Sequence, residues 1–489
     1  MVTPSYEEAA KLAEQYGRIP LSMEIYADME TPVRLLYRLA AKNSHCFLLE
    51  SADGGEKWGR YSFLGFDPIL TVTVEKGKTK FVSADGTSET LDGDPYACIR
   101  DKLAPFKAPV LPGMPRFTGG AVGYFAYDMV RYAEDLPDNN PDDTHCPDCS
   151  LMVAEKLIAY DNVKQKIILI VNADTQGDFK ANYEKAVKEL EAIHRRLREQ
   201  AAPVASKPQR AKPQWESNMT QEAFMEMVEK GKVHIRDGDI FQVVLSQRFS
   251  AKIEGGLFDL YRVLRVNNPS PYLYYLKLGD VEVAGASPET LVRLENGLLE
   301  NCPIAGSRPR GKTQAEDLAL EKELLEDAKE LSEHNMLVDL GRNDIGRVSS
   351  FGSVKVVEHA KVMRYSQIMH ITSLVSGKLR DDLDAFEALR SILPAGTLSG
   401  APKVKAMELI DKYENRRRGL YGGAVGYVGF DGNMDTCIAI RTAIAKDGVT
   451  YVQSGAGIVA DSVPATEYQE SLNKAKAVLL AAEKAGEIQ

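Results

Sequence analysis

YLYYLKLGDVEVA, residues 272–284, is the stretch whose reading decides the fold. Tyr272–Lys277 and Val281–Ala284 are rich in aromatic and β-branched residues, and the gap between them is too short for a helix. Strands that follow one another directly pair antiparallel, because a parallel pair needs a crossover of about a dozen residues or more. The grouping recurs in Leu157–Tyr160 with Lys166–Val171, and further strand-like segments lie at Phe241–Arg248 and Tyr451–Gln453. An antiparallel sheet is therefore predicted, and a doubly wound parallel fold is not. The string GGAVGY occurs at Gly119–Tyr124 and again at Gly422–Tyr427. Glycines in an apolar strand mark a bulge or a close backbone approach; six residues alone do not establish a duplication.

Outward from these strands, residues 200–216 are proline-rich without apolar periodicity, which reads as a linker between two halves. Before it, Tyr183, Ala186, Leu190, Ile193 and Leu197 have the spacing of an amphipathic helix. After it, Thr220 opens a second helix, expected to end near Gly231. The 489 residues suggest about three units, or two large ones. Composition is 44% hydrophobic and 27% charged, as in an ordinary globular chain, and excludes wholesale disorder. The net charge of −10 argues against a broad nucleic-acid-binding face. No apolar run approaches the ~18–20 residues of a membrane span. The N-terminal residues show no secretory pattern, and six cysteines are too few for a disulfide scaffold. A cytoplasmic enzyme is the expectation.

Several motifs have competing readings. Gly306–Thr313, GSRPRGKT, matches a phosphate-binding loop, but Pro309 lacks a backbone donor and the preceding segment is poor material for a buried parallel strand. His145, Cys146 and Cys149 fall short of a four-ligand zinc set. The run Arg416–Arg418 reads as a solvated surface. In 315–340, Leu318, Leu325, Ala328 and Leu331 follow helical spacing, with Glu326, Glu330 and Glu333 alongside. Pro464 suits the first turn of a helix bearing Glu467, Glu470 and Lys474. Each set is either a solvated face or, if the helices converge, a binding site for a hard cation. Ala395–Lys403 and Gly455–Val459 are glycine-rich turns, suited to an anionic ligand or simply to turning the chain.

Taken together, DGDIFQVVLSQR (237–248), GASPETL (285–291), CPIAGSRPRG (302–311), SEHNMLVDLGRNDIGRV (332–348), PAGTLSGAPKVKAMELI (394–410) and GAGIVADSVPATEYQESLNKA (455–475) closely resemble the chorismate-utilising enzymes, and within them the anthranilate synthase component I group. FLLES (47–51) and FTGGAVGYFAYD (117–128) extend the likeness to the N-terminal half. One departure is Ser307, where the family usually has Thr. The resemblance implies an α+β fold: two packed antiparallel sheets flanked by helices, with an N-terminal α/β domain packed against the catalytic one. Its boundaries would be 1–200, a linker at 201–216, and a chorismate-binding domain at 217–489.

The resemblance further implies Mg²⁺ on Glu333 and Glu470, with Lys474 near the same substrate carboxylate. Gly306 and Ser307 would contact the ring; Tyr421, Arg441 and the backbone of Gly455, Ala456 and Gly457 would hold the enolpyruvyl carboxylate. Glu289 would be the general acid for the C4 hydroxyl, while His370 and Thr397 would line the ring, His370 assisting pyruvate elimination. Within the family, water-using members place a lysine where this chain has Gln242, and aminodeoxychorismate synthases place one where it has Ala305. Both differences point to ammonia attack and an aromatic product, with aminodeoxychorismate synthase the enzymatic alternative and a non-catalytic tryptophan sensor the other. No glutamine amidotransferase nucleophile motif is visible, so a separate glutaminase subunit, in a heterotetramer of two of each, is expected to supply ammonia. A tryptophan feedback pocket is implied at Glu50, Ser51, Pro271, Tyr272, Leu273, Val425, Gly426, Tyr427 and Cys437, a site built from both halves. Neither nucleic acid nor membrane is an expected partner.

Overall fold

In the computed structural model, which describes residues 2–27, 29–40, 43–52, 59–198, 212–364 and 368–488, Tyr272–Leu278 and Val281–Ser287 form the predicted hairpin. Their register runs from Tyr272↔Ser287 to Leu278↔Val281, and Gly279 supplies the positive φ (72°) that the tight turn needs. Tyr272–Leu278 has a second neighbour, His45–Glu50 from the N-terminal half. That pairing joins a 13-stranded sheet whose remaining strands divide between the halves on either side of it. A 12-stranded sheet is joined the same way, where Gly120–Phe125 pairs with Ala424–Gly429.

The two GGAVGY strings are therefore partners at the centre of the second sheet, with Gly123 opposite Gly426. A Cβ at either glycine would lie 2.0 Å from a carbonyl oxygen of the next strand, Ser150 or Asp435. The duplication that six residues left open is a duplication of topology. From each outer edge of the first sheet inward, both halves contribute a two-residue strand and a long strand. Each then contributes its last two strands in reverse order, and finally its central hairpin.

The layers follow from burial. Phe47, Phe63, Phe117, Tyr124 and Tyr274 fill the space between the sheets. Outside the first sheet, the helices Phe179–Arg198, Phe258–Asn267 and Pro464–Ala485 cover it with Leu190, Ile193, Leu264 and Val478. Outside the second, Pro95–Leu103 and Ala385–Ile392 do the same with Ile99 and Leu389. Alternation along the strands sends one set of side chains between the sheets and the other beneath the helices. No helix of the described residues is long and apolar enough to cross a membrane.

Three local readings change. The helix opened by Thr220 continues past Gly231 to Arg236, because Gly231 is a packing position: a Cβ there would meet Val243 at 3.3 Å. The 315–340 stretch is two helices, Gln314–Glu326 and Ala328–Gly346, broken at Asp327, whose side chain caps the second through Lys329 N and Glu330 N. Arg416–Arg418 is not a solvated face. Arg416 pairs with Asp143, Arg417 with Asp128 and Asp138, and Arg418 is 3% exposed. Of the expected linker, 201–211 lies outside the described residues, and Glu216 begins the edge strand Glu216–Ser217.

Candidate active site

A cavity of about 720 Å³ opens where the C-terminal strands of the two sheets meet. One wall is Gln242 and Val244 of Gln242–Lys252 with Gln453, Gly455 and Gly457 of Val449–Ile458. The opposite wall is Ala305, Gly306 and Ser307 of Ile304–Pro309 with His370 of Ile368–Lys378. The Ala328–Gly346 helix contributes Glu330 and Glu333, and the Pro464–Ala485 helix contributes Glu467, Glu470 and Lys474. Glu289, Thr397, Tyr421 and Arg441 also line it, together with Lys329 and Leu398. Two acidic helices that periodicity could not relate to one another thus face one space.

Strand geometry explains the glycines. A Cβ at Gly455 would sit 2.3 Å from Leu245 O, and one at Gly457 would sit 2.6 Å from Gln242 Nε2. Ala456, between them on the alternating strand, does not line the cavity; it is fully buried among Phe224, Leu245 and Ile458. The 304–309 segment is a strand, with Thr313 capping the following helix, so GSRPRGKT is no phosphate loop here. Cys146 and Cys149 are free thiols, and burial pushes Cys146 up to about 11.

Electrostatics distinguishes the groups. Burial raises the Glu289 carboxyl to about 7, with the Thr397 hydroxyl, Lys474 and Arg441 pulling the other way. A carboxyl with that value is about half protonated at neutral pH, poised to donate a proton. Its backbone is pinned: Ile438 N donates to Glu289 O at 3.0 Å. His370 Nδ1 lies 3.2 Å from Gly306 O and 2.8 Å from Ser307 Oγ, and burial lowers its pKa. The carbonyl can only accept, so a bond to it calls for the ring proton on Nδ1, and in that tautomer Nε2 is the basic nitrogen. Arg441 sits at φ 50°, a left-handed conformation, and its part-buried side chain lines the cavity. Burial depresses it, and only the Glu289 charge works against that, a setting suited to an anionic ligand.

Burial and then Glu330 raise the Glu333 carboxyl; burial raises Glu467, which Glu470 also pushes up. Lys474 Nζ meets Glu470 at 2.6 Å. Carboxylates that raise one another in this way are relieved by a cation. No three His, Cys, Asp or Glu side chains among the described residues converge at metal-binding distance. Carboxylate oxygens are the donors a hard cation such as Mg²⁺ takes, with water filling the rest of its shell. Glu330 and Glu467 belong to this lining although the sequence reading settled on Glu333 and Glu470; their signal was the helical spacing already noted.

Between the sheets, at the junction of the halves, is a much smaller cavity of about 40 Å³. Glu50, Ser51, Pro271, Tyr272, Leu273, Val425, Gly426, Tyr427 and Cys437 all line it. Sequence reasoning found Glu50 and Ser51 but missed Arg116, Arg293 and Asp435 of the same lining. Asp435 accepts from Tyr272 Oη at 2.8 Å and from Arg293 at 2.9 Å, and pairs with Arg116 at 3.4 Å. The Glu50 carboxylate accepts from Arg265 at 2.7 and 3.1 Å and from Tyr261, on the 258–267 helix.

Comparison with known proteins agrees with this geometry. The profile of the chorismate binding enzyme family matches residues 44–480, and the chain belongs to that family. It is 52% identical, over the whole of both chains, to the anthranilate synthase component 1 of Acetivibrio thermocellus. Among solved structures it is similar to anthranilate synthase component I from Streptococcus pneumoniae TIGR4, at 38% identity and a TM-score of 0.78, covering 93% of this chain and 99% of that one. A menaquinone-specific isochorismate synthase from Escherichia coli shares the fold alone, at 17% identity and a TM-score of 0.68, covering 97% of this chain and 98% of that one.

Proposed function

We propose that this chain is the chorismate-consuming subunit of an anthranilate synthase, converting chorismate and ammonia to anthranilate, pyruvate and water. The observation that carries the reading is one cavity holding a buried acid at about 7, a neutral histidine, a part-buried arginine and paired acidic helices. Arg441 and Tyr421 hold the enolpyruvyl carboxylate, with backbone N–H groups of the 455–457 strand beside them. Ammonia attacks C2, the ring double bonds shift, and the C4 hydroxyl leaves as water with the proton of Glu289. His370 Nε2 then takes the C2 proton as the bond from C3 to the ether oxygen breaks, the ring becomes aromatic, and the released enolpyruvate takes up a proton to become pyruvate. Mg²⁺, held by Glu333 and Glu470, would supply charge neutralisation at the ring carboxylate.

The nitrogen source follows from three residues and an absence. Gln242 is neutral, Ala305 carries no amine, Lys474 is engaged with Glu470, and the sequence shows no amidotransferase nucleophile motif. A separate glutamine amidotransferase subunit is proposed to deliver ammonia, in a heterotetramer of two of each chain. The isolated chain is expected to make anthranilate from ammonium salts and not from glutamine, and adding that subunit should open glutamine use. Efficient glutamine-dependent synthesis by the purified chain alone would contradict this.

The small cavity at the junction of the halves is proposed to bind tryptophan as a feedback inhibitor. At about 40 Å³ it is far below the ~300 Å³ or more of an ordinary ligand pocket, so occupation requires its walls to part. Those walls lead to the acid: Tyr272 is opposite Ser287, Cys437 is opposite Thr290, and Ile438 N holds Glu289 O. Parting them would displace Glu289, which gives the two sites a physical coupling. Ser51→Phe should block the tryptophan site and raise the concentration for half-inhibition at least tenfold, measured on whatever turnover the variant retains. Unchanged inhibition in that variant would place the effector elsewhere.

A further inference from the structure

Behind the Tyr421 wall of the large cavity lies a buried charge pair that the proposed chemistry does not use. Arg418 Nε donates to Glu414 Oε2 at 2.9 Å and Nη2 donates to Oε1 at 2.6 Å. The same Oε1 accepts from Ser246 N at 2.9 Å and Ser246 Oγ at 2.7 Å. The rest of the guanidinium faces the cavity's own frame: Nη1 donates to Leu398 O at 2.5 Å and Nη2 to Val244 O at 2.7 Å. Leu398, Val244 and Tyr421 all line the cavity, and the Arg418 guanidinium stands 5.5 Å from the centroid of the Tyr421 ring. On its far side Tyr127, from the N-terminal half, stacks at 4.8 Å, and its backbone N–H donates to Gly419 O at 2.8 Å.

A buried ion pair is weak evidence for stability, since desolvation consumes much of its Coulomb attraction. What a planar fork supplies is geometry: several donors fixed in one plane, which a lysine ammonium cannot reproduce. We propose that Glu414 and Arg418 are positioning residues, a brace that fixes the Thr397–Leu398 turn, the Tyr421 ring and the Gln242–Lys252 strand relative to one another around the substrate. Neither residue touches the reacting atoms. Tyr127 ties the brace to the N-terminal half, so part of the site's precision comes from outside the catalytic strands. The inference rests on the chorismate reading of this cavity.

The test measures kcat and chorismate KM for the full chain with Mg²⁺ and ammonium, alongside thermal midpoints. Arg418→Lys keeps the charge but cannot span two carbonyls and a carboxylate. Glu414→Gln keeps the shape and an acceptor for Ser246 but removes the charge. Both are expected to raise KM and lower kcat, for a combined loss of about 100-fold in kcat/KM, the size expected of a small misplacement of binding groups. The control is Arg18→Lys, which weakens the pairing of buried Arg18 with part-buried Glu155 and half-exposed Asp174 in the N-terminal half; it should lower the thermal midpoint and leave KM unchanged. KM and kcat within twofold of the parent in both brace variants would overturn the proposal, as would losses no larger than those of Arg18→Lys at equal destabilisation. Turnover by the parent tests the chorismate reading itself, and the ratio of variant to parent tests the brace.

Discussion

Glu333→Gln and Glu470→Gln are each expected to lower Mg²⁺-dependent turnover by about 10³-fold or more while leaving the fold intact. The size follows from losing charge stabilisation worth several kcal/mol at a developing transition state. The substitution is isosteric, so packing on the two helices is retained and the thermal midpoint should move little. In the ion-free protein it should not fall at all for Glu333, since that carboxyl is held above its ordinary range by burial and by Glu330. Removing a charge that the fold disfavours costs nothing. Titration calorimetry supplies the readout independent of activity: Mg²⁺ binding by the parent should be lost or much weakened in both variants. Normal binding and near-normal turnover in both would remove the metal from these helices.

Glu289→Gln carries the second large effect, a fall in kcat of about 10²–10⁴-fold, the range of a lost general acid. Its pH signature can be worked out in advance. The acid form is the active one, and its pKa is raised to about 7. With ammonia delivered internally from glutamine, kcat/KM for chorismate should fall about tenfold per unit above about pH 7, and fall again in acid, where His370, whose pKa burial lowers, takes up a proton. With ammonium salts the share of free NH₃ rises about tenfold per unit, so the rate at subsaturating ammonium should climb to about pH 7 and then level off. The residual activity of Glu289→Gln should lose the break near 7 under both conditions. A break that survives would assign it to another group.

How much of this was legible beforehand depends on the kind of interaction. The hairpin at 272–287 could be read because the three residues between the segments, 278–280, are too few for a parallel crossover, and Pro464 because its position at a helix start is set by its own ring. The convergence of Glu333 and Glu470 came from resemblance alone: periodicity fixes which side chains share a helix face, not where two helices far apart in the chain will meet. Arg418 was misread for a related reason. Three consecutive arginines look solvated when local partners are counted, yet the groups that bury Arg418 include Val244 and Tyr127, far upstream. The repeated GGAVGY string was visible, but its meaning required seeing that the two copies pair with each other across the middle of a sheet.

The central claim is that the large cavity turns chorismate into an aromatic amine with ammonia as nucleophile. Its most direct measurement mixes the purified chain with chorismate, Mg²⁺ and an ammonium salt, following anthranilate by fluorescence and pyruvate by coupled oxidation of NADH. The account predicts one anthranilate and one pyruvate for each chorismate consumed. Consumption of chorismate without pyruvate, or no consumption at all by folded protein, would contradict it.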